Sequence, residues 1–303
     1  MFLINYLKTL NPAPGYQHAM ERLEQYAYLV RLDRPIGIYL LLWPTLWALW
    51  IAARGWPDLL VLSVFVCGVF LMRSAGCAIN DFADRKIDPH VARTQDRPLA
   101  AGRITVTETL LVFASLSITA FLLVLLMNTL TIYMSFVGIV LAASYPFAKR
   151  FHYMPQIHLG AAFGWAAPMA FTAQANEITP VTWLIFMATV LWATAYDTMY
   201  AMADREDDLK IGVKSTAILF GEADKLMIGL LQIMLLLDLY FIGRQSELGL
   251  YYNVALIIAS GFAIYQQYLI KDRIPALCFK AFLNNNWFGM VIFIGVFIDY
   301  WVS

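Results

Sequence analysis

Apolar residues in this chain come in long unbroken blocks, with neither the alternation of a half-buried strand nor the one-sided stripe of a water-soluble helix. Nine blocks are long enough to cross a bilayer, for which about twenty residues suffice. They lie at roughly 36–54, 58–79, 106–127, 129–147, 155–174, 180–203, 225–243, 250–270 and 282–302. Asn128 alone separates the third from the fourth, which predicts a tight turn. Polar residues gather between the blocks, and the stretches at 80–105 and 204–224 are long and charged. Ahead of the first block, Met20, Leu23, Tyr26 and Val30 recur at helical spacing while Glu21, Arg22, Glu24 and Arg31 face elsewhere. That spacing predicts an amphipathic helix on the membrane surface, ending at Pro35. The expected organisation is an N-terminal arm (1–35) and a membrane domain (36–303), all-α, with nine transmembrane helices.

Composition agrees: 61% of the residues are hydrophobic and only 14% are charged. A net charge of zero conceals segregation by side. With the N-terminus inside, 18 basic residues from Lys8 to Lys280 fall on the cytoplasmic side, only Arg54 and Arg244 fall outside, and Arg73 lies within a span. A bias of that size sets the orientation, N-terminus and both charged stretches cytoplasmic. Basic residues interleave with acids, which argues against nucleic-acid binding. Cys67, Cys77 and Cys278 form no CxxC and read as small core side chains, and the four histidines form no metal-ligand pair. No charged n-region with an apolar core and cleavage site opens the chain, so no signal peptide is expected.

The acids are concentrated. Ala83-Asp84-Arg85-Lys86-Ile87-Asp88 is nearly repeated as Ala203-Asp204-Arg205-Glu206-Asp207-Asp208, and each copy closes an apolar block. Two short stretches, 80–96 and 197–208, hold nine of the 21 acidic residues. Carboxylates so crowded stay ionised only with positive charge among them. Oxygen-only ligands point to magnesium. On a continuous helix Asn80, Asp84 and Asp88 would share one face, as would Asp204 and Asp208 with Asp197 nearby. Magnesium prefers a few carboxylates plus phosphate oxygens, so a phosphate-bearing substrate is implied, with Arg85, Arg93, Arg97, Lys149, Arg150, Arg205 and Lys214 as charge partners. No GxxxxGK[ST] loop is present. A diphosphate with a hydrocarbon tail suits a basic surface above an apolar bundle, and metal-promoted loss of diphosphate is its natural reaction. Arg73, seven residues before Asn80, is an intramembrane charge within reach of the first motif. Asp238 and Asp299 read as satisfied polar contacts or interfacial residues. Trp43, Trp47, Trp165 and Trp192 read as packing or interface anchors.

At these residues the chain closely resembles the UbiA superfamily of intramembrane aromatic prenyltransferases. The resemblance rests on Asn80-Asp81-x-x-Asp84-x-x-x-Asp88, Arg93-Thr94 and Arg97-Pro98-Leu99-x-x-Gly102. It rests equally on Tyr196-Asp197, Asp204-x-x-x-Asp208, Gly212 and Lys214-Ser215-Thr216. Stretches 40–50, 145–150, 159–171, 196–221 and 278–286 are similar to the subgroup that prenylates 4-hydroxybenzoate. The resemblance implies a nine-helix bundle with a central cavity open to lipid. It implies Mg2+ held on diphosphate by Asn80, Asp84, Asp88, Asp204 and Asp208, with Asp81 and Asp197 as supporting members of the metal set. Arg93, Lys149, Arg150 and Lys214 become diphosphate or acceptor contacts, Arg150 foremost, and Arg73 a partner for the acceptor carboxylate. The expected reaction moves a polyprenyl group from its diphosphate to the carbon ortho to the hydroxyl of 4-hydroxybenzoate, at the bacterial inner membrane among membrane lipid. Two rivals remain at this point: the same chemistry on another aromatic acceptor, and an ion-coupled transporter, against which the one-sided acids argue.

Overall fold

The computed structural model describes residues 14–91 and 93–302. Lys8, the start of the arm and the stretch relevant to a signal peptide lie outside them. All regular elements among the described residues are helical. They are α1 (Pro14–Leu29), α2 (Ile36–Ala53), α3 (Leu59–Asp84), α4 (Val106–Val124), α5 (Thr129–Phe151), α6 (Pro155–Gly164) and α7 (Ala166–Ala175). There follow α8 (Pro180–Ile211), α9 (Thr216–Phe220), α10 (Asp224–Gln245), α11 (Leu250–Ile270) and α12 (Pro275–Val302). Among the described residues, seven segments are long and apolar enough to cross a membrane: α2, α3, α4, α5, Thr216–Gln245, α11 and α12.

The other two predicted spans differ in form. The block at 155–174 is a pair of ten-residue helices meeting at Trp165. Pro168 has no N–H for the Gly164 carbonyl, and its ring crowds that carbonyl, so the break falls there. The block at 180–203 is the start of a 32-residue helix that carries on through the second acidic motif to Ile211, where a loop was expected. The amphipathic helix ends earlier than Pro35. It stops at Leu29, and Arg31 takes a left-handed turn with φ 60°.

Two compact units make up the chain, one from residues up to Ile38 with Gly68–Leu122, the other from Tyr39–Cys67 with Leu123 onward. In the first, Leu29, Ala78 and Ile104 form a buried cluster flanked by Tyr26, Leu99, Val112 and Phe113. A reciprocal Thr105–Glu108 capping box opens α4, the Glu108 carboxylate accepting from Thr105 N–H at 2.8 Å and Thr105 Oγ1 accepting from Glu108 N–H at 3.2 Å. Glu108 also accepts from the Tyr26 hydroxyl at 2.8 Å and pairs with Arg22, which ties α1 to α4.

In the second unit, close packing and buried polar contacts join the helices alongside a buried apolar interior. Gly160 and Gly164 lie one turn apart on α6. A Cβ on Gly160 would come within 2.9 Å of the Val190 backbone, and one on Gly164 within 3.0 Å of the Phe186 carbonyl, so α6 and α8 approach closely through small residues. On α12, Asn284, Asn285 and Asn286 point about 100° apart. Asn284 accepts from Gln266 (3.0 Å), which accepts from Gln232 (2.8 Å). Asn285 accepts from the Trp192 indole (2.8 Å), and Asn286 from that of Trp43 (3.0 Å). Trp43 and Trp192 are thus bundle fasteners. Asp299 accepts backbone N–H groups of Gly249 (3.0 Å) and Tyr252 (2.7 Å), satisfying the open end of α11.

The tight α6–α8 contact generates a prediction. Gly160→Val forces its side chain into the α8 backbone and lowers stability by about 1–3 kcal/mol, read as a lower midpoint in thermal unfolding in detergent. An unchanged midpoint would mean that the helices separate at no cost.

Candidate functional site

The first motif sits where α3 stops. Asn80 and Asp84 occupy the last turn, and the Asn80 amide donates to the Asp84 carboxylate at 3.3 Å. The helix does not continue to Asp88. A turn follows Asp84, with Ile87 N–H on the Asp84 carbonyl at 2.7 Å, and Asp88 opens a short 3-10 turn, Asp88–His90. Pro89 has no N–H to give the Arg85 carbonyl, so an α-helix cannot run on through this stretch unbroken. Asp88 therefore reaches the motif by a turn, not along one helical face. The Thr94 hydroxyl pins this turn by donating to the Asp88 carbonyl at 2.9 Å.

Asp81, Asp84 and Asp88 are 1%, 2% and 4% exposed, so their charges need partners. Arg31 supplies a two-pronged pair to Asp81 at 2.7 and 2.9 Å, and Arg97 bridges Asp81 (3.1 Å) and Asp88 (2.9 Å). Burial pushes the Asp88 carboxyl above the ordinary carboxylate range, against the pull of Arg97 and with the help of the Asp84 and Asp81 charges. Arg93 is exposed on the turn that follows. Arg73 lies two turns before Asn80 on α3. Its guanidinium lies over Gly37, which leaves no room for a Cβ there, and its Nη1 donates to Cys77 Sγ at 3.2 Å.

The second motif belongs to the other unit. Asp197, Asp204 and Asp208 are all on α8, partly exposed. Asp204 and Asp208 are one turn apart and share a face. Gly212 ends the helix in a left-handed conformation (φ 71°), its N–H on the Asp208 carbonyl. The chain turns back so that Lys214 Nζ donates to the Phe151 carbonyl at 3.2 Å and lies over the Tyr153 ring. That brings Lys214 to the end of α5, where Lys149 and Arg150 stand in the last turn. The Gln156 side chain accepts the Thr216 N–H at 3.1 Å and fixes this return.

Three groups escaped the sequence reading as site members: Arg31, Asp224 and Arg273. Asp224 is fully buried and held by Arg205 (2.6 Å) and Arg273 (3.0 Å). An acid opening an apolar helix looks like ordinary end-capping, so no local signal marks it.

For a cation, Asn80, Asp84 and Asp88 in the first motif, and separately Asp204 and Asp208 in the second, offer side-chain oxygens, which suit magnesium better than softer metals. The raised Asp88 carboxyl is a site where added positive charge would be stabilising. Among the described residues no three His, Cys, Asp or Glu side chains sit together closely enough to hold a metal unaided. A magnesium ion here would take further ligands from a phosphate, its usual habit.

Membrane-crossing helices with acidic motifs and basic side chains at their ends define the class: a polytopic helical membrane protein with charged motifs at its helix ends. The profile of the UbiA prenyltransferase family matches residues 41–292. The chain belongs to that family, as the resemblance led us to expect. A 4-hydroxybenzoate octaprenyltransferase of Nitrosococcus oceani is 64% identical over 280 residues, covering 92% of this chain and 98% of that protein. The protein of the same name from Saccharophagus degradans is 59% identical over 274 residues, 90% and 92% of the two chains. Among solved structures, a UbiA homologue from Aeropyrum pernix superposes with a TM-score of 0.77 at 25% identity, covering 87% and 97% of the chains. One from Archaeoglobus fulgidus bound to GPP and Mg2+ gives 0.70 at 17% identity, covering 90% and 99%, a likeness of fold.

The buried carboxylate of Asp81 generates a prediction. Arg31→Ala takes away its two-pronged partner and lowers stability by about 1–3 kcal/mol in detergent unfolding, while Arg34→Ala, at a solvent-exposed arginine, changes it little. Equal effects of the two substitutions would show that the Asp81 pair contributes nothing specific.

Proposed function

We infer that this chain transfers a polyprenyl group from polyprenyl diphosphate to the carbon ortho to the hydroxyl of 4-hydroxybenzoate, an early step of ubiquinone biosynthesis, with magnesium as cofactor. The observation that carries this reading is the 64% identity, over nearly the whole of both chains, to a 4-hydroxybenzoate octaprenyltransferase. The intact acidic motifs support it.

Asn80, Asp84, Asp88, Asp204 and Asp208 hold magnesium on the diphosphate, with Asp197 and the arginine-bound Asp81 in supporting positions. When bound, the ion supplies positive charge that makes diphosphate a good leaving group. Arg150, Lys149, Lys214 and Arg93 bind the diphosphate oxygens and stabilise the charge that develops as the allylic C–O bond breaks. The electron-rich ring carbon of the acceptor captures the allylic cation, and loss of the ring proton restores aromaticity. Arg73 orients the acceptor through its carboxylate. Apolar side chains around the tail keep water from the cation.

Nine membrane crossings accommodate this chemistry. The seven long apolar segments are joined by the α6–α7 pair and by α8, whose 32 residues extend roughly 48 Å at 1.5 Å per residue, beyond a bilayer core. The N-terminus and both motifs face the cytoplasm of a bacterial inner membrane, with a central cavity open to lipid for the tail.

The test is prenyl transfer by the full chain in detergent, with a long prenyl diphosphate, radiolabelled 4-hydroxybenzoate and magnesium. Transfer is expected with magnesium and is lost with EDTA. Asp84→Ala and Asp204→Ala lower turnover roughly a hundred- to a thousandfold. Normal turnover by either folded variant would remove the metal-assisted mechanism. Diphosphate release without prenylated 4-hydroxybenzoate would reassign the acceptor.

A further inference from the structure

Arg205 stands inside the second acidic motif, beside Asp204, and the sequence reading places it among the phosphate contacts. The structure gives it other work. Its guanidinium donates to the carbonyls of Ala217 and Gly221 and to the Asp224 carboxylate at 2.6 Å. Asp224, at the start of α10, is fully buried. It also accepts from Arg273 Nε at 3.1 and 3.0 Å and from the Lys225 N–H at 2.7 Å. Arg273, on the turn between α11 and α12, donates in addition to the Glu222 carbonyl at 2.8 Å. One carboxylate thus ties together the end of α8, the connection 212–223 and the turn before α12.

That connection carries Lys214 and the short helix α9. It is bounded by Gly212 and Gly221, both at positive φ (71° and 52°). A buried carboxylate bonded to two guanidiniums by charge-assisted hydrogen bonds fixes both arginines, and the segments they belong to, relative to itself. The first motif has the same device: Asp81, next to Asn80, is gripped by Arg31 and Arg97. In one motif the aspartate is the motif's own residue, and in the other the arginine is. Two acidic motifs with different surroundings therefore each contribute one member to an arginine–aspartate–arginine group.

We propose that Arg205, Asp224 and Arg273 form a positioning clasp that holds Asp204, Asp208 and Lys214 in register for the diphosphate. Arg205 acts through its neighbours and does not touch the substrate. The clasp rests on the prenyl-transfer reading above and adds residues to it.

The experiment uses full-length protein in detergent, carrying Arg205→Lys, Asp224→Asn or Arg273→Gln. For each, the KM for prenyl diphosphate, the magnesium concentration for half-maximal activity, the KM for 4-hydroxybenzoate and the melting temperature are measured. The first two constants are expected to rise roughly ten- to a hundredfold in Arg205→Lys and Asp224→Asn. The 4-hydroxybenzoate KM should stay within about twofold. Arg273→Gln keeps the Arg205–Asp224 pair and should shift the same two constants by less; it decides the matter if the other two variants fail to fold. A lower melting temperature with all constants unchanged would overturn the clasp, as would an equal rise in all three. Wild-type protein without magnesium-dependent transfer would sink both the reading and the clasp, whereas active wild type with unshifted variants would sink the clasp alone.

Discussion

A carboxylate withdrawn from water at the end of an apolar helix must be met by positive charge, and much of this structure follows from how that demand is answered. Asp81, Asp84, Asp88 and Asp224 are nearly or fully out of solvent. Asp81 and Asp224 are each gripped by two arginines, and Asp88 shares Arg97 with Asp81. Such pairs contribute little net stability, since desolvation offsets most of the attraction, but they are unforgiving of geometry. They suit a protein that must hold acids in fixed places without letting them drift toward water.

Away from the helix ends the problem is different. Lipid is as apolar as leucine, so burying leucine between helices gains little, and association depends on close contact and on polar groups that find each other. The glycine pair of α6 supplies the first and the consecutive asparagines of α12 the second. Helix angle turns three neighbouring residues into contacts with three different elements. The tryptophans they hold are fixed at the indole N–H, which leaves their faces to pack.

The proposed chemistry separates the two kinds of charge by exposure. Residues that grip other residues, Arg31, Arg97, Arg205 and Arg273, are engaged with carboxylates. Arg93 and Arg150 are more exposed, Arg150 over the Phe147 ring, and the proposed function assigns them to the diphosphate. Identical side-chain types thus serve scaffolding and substrate, and their surroundings divide the labour.

Several features could be read from residue order because their causes are local. Long apolar blocks dictate membrane-crossing helices, and Asn128 alone between two of them marks a tight turn. The two motifs and the family were legible for the same reason, each being a short contiguous pattern. Local order also misled at the margins: the turn at Pro89 takes Asp88 off the helix, and α8 runs eight residues past its apolar block. The partners of Asp81 and Asp224 were not legible at all. Arg31 lies 50 residues from Asp81, and Arg273 lies 49 from Asp224. No periodicity joins residues at such distances, and an arginine at a helix end looks the same whether it faces solvent, phosphate or a buried acid. Folding alone selects among those, because only when the helices pack does a given carboxylate lose its water and require that particular guanidinium.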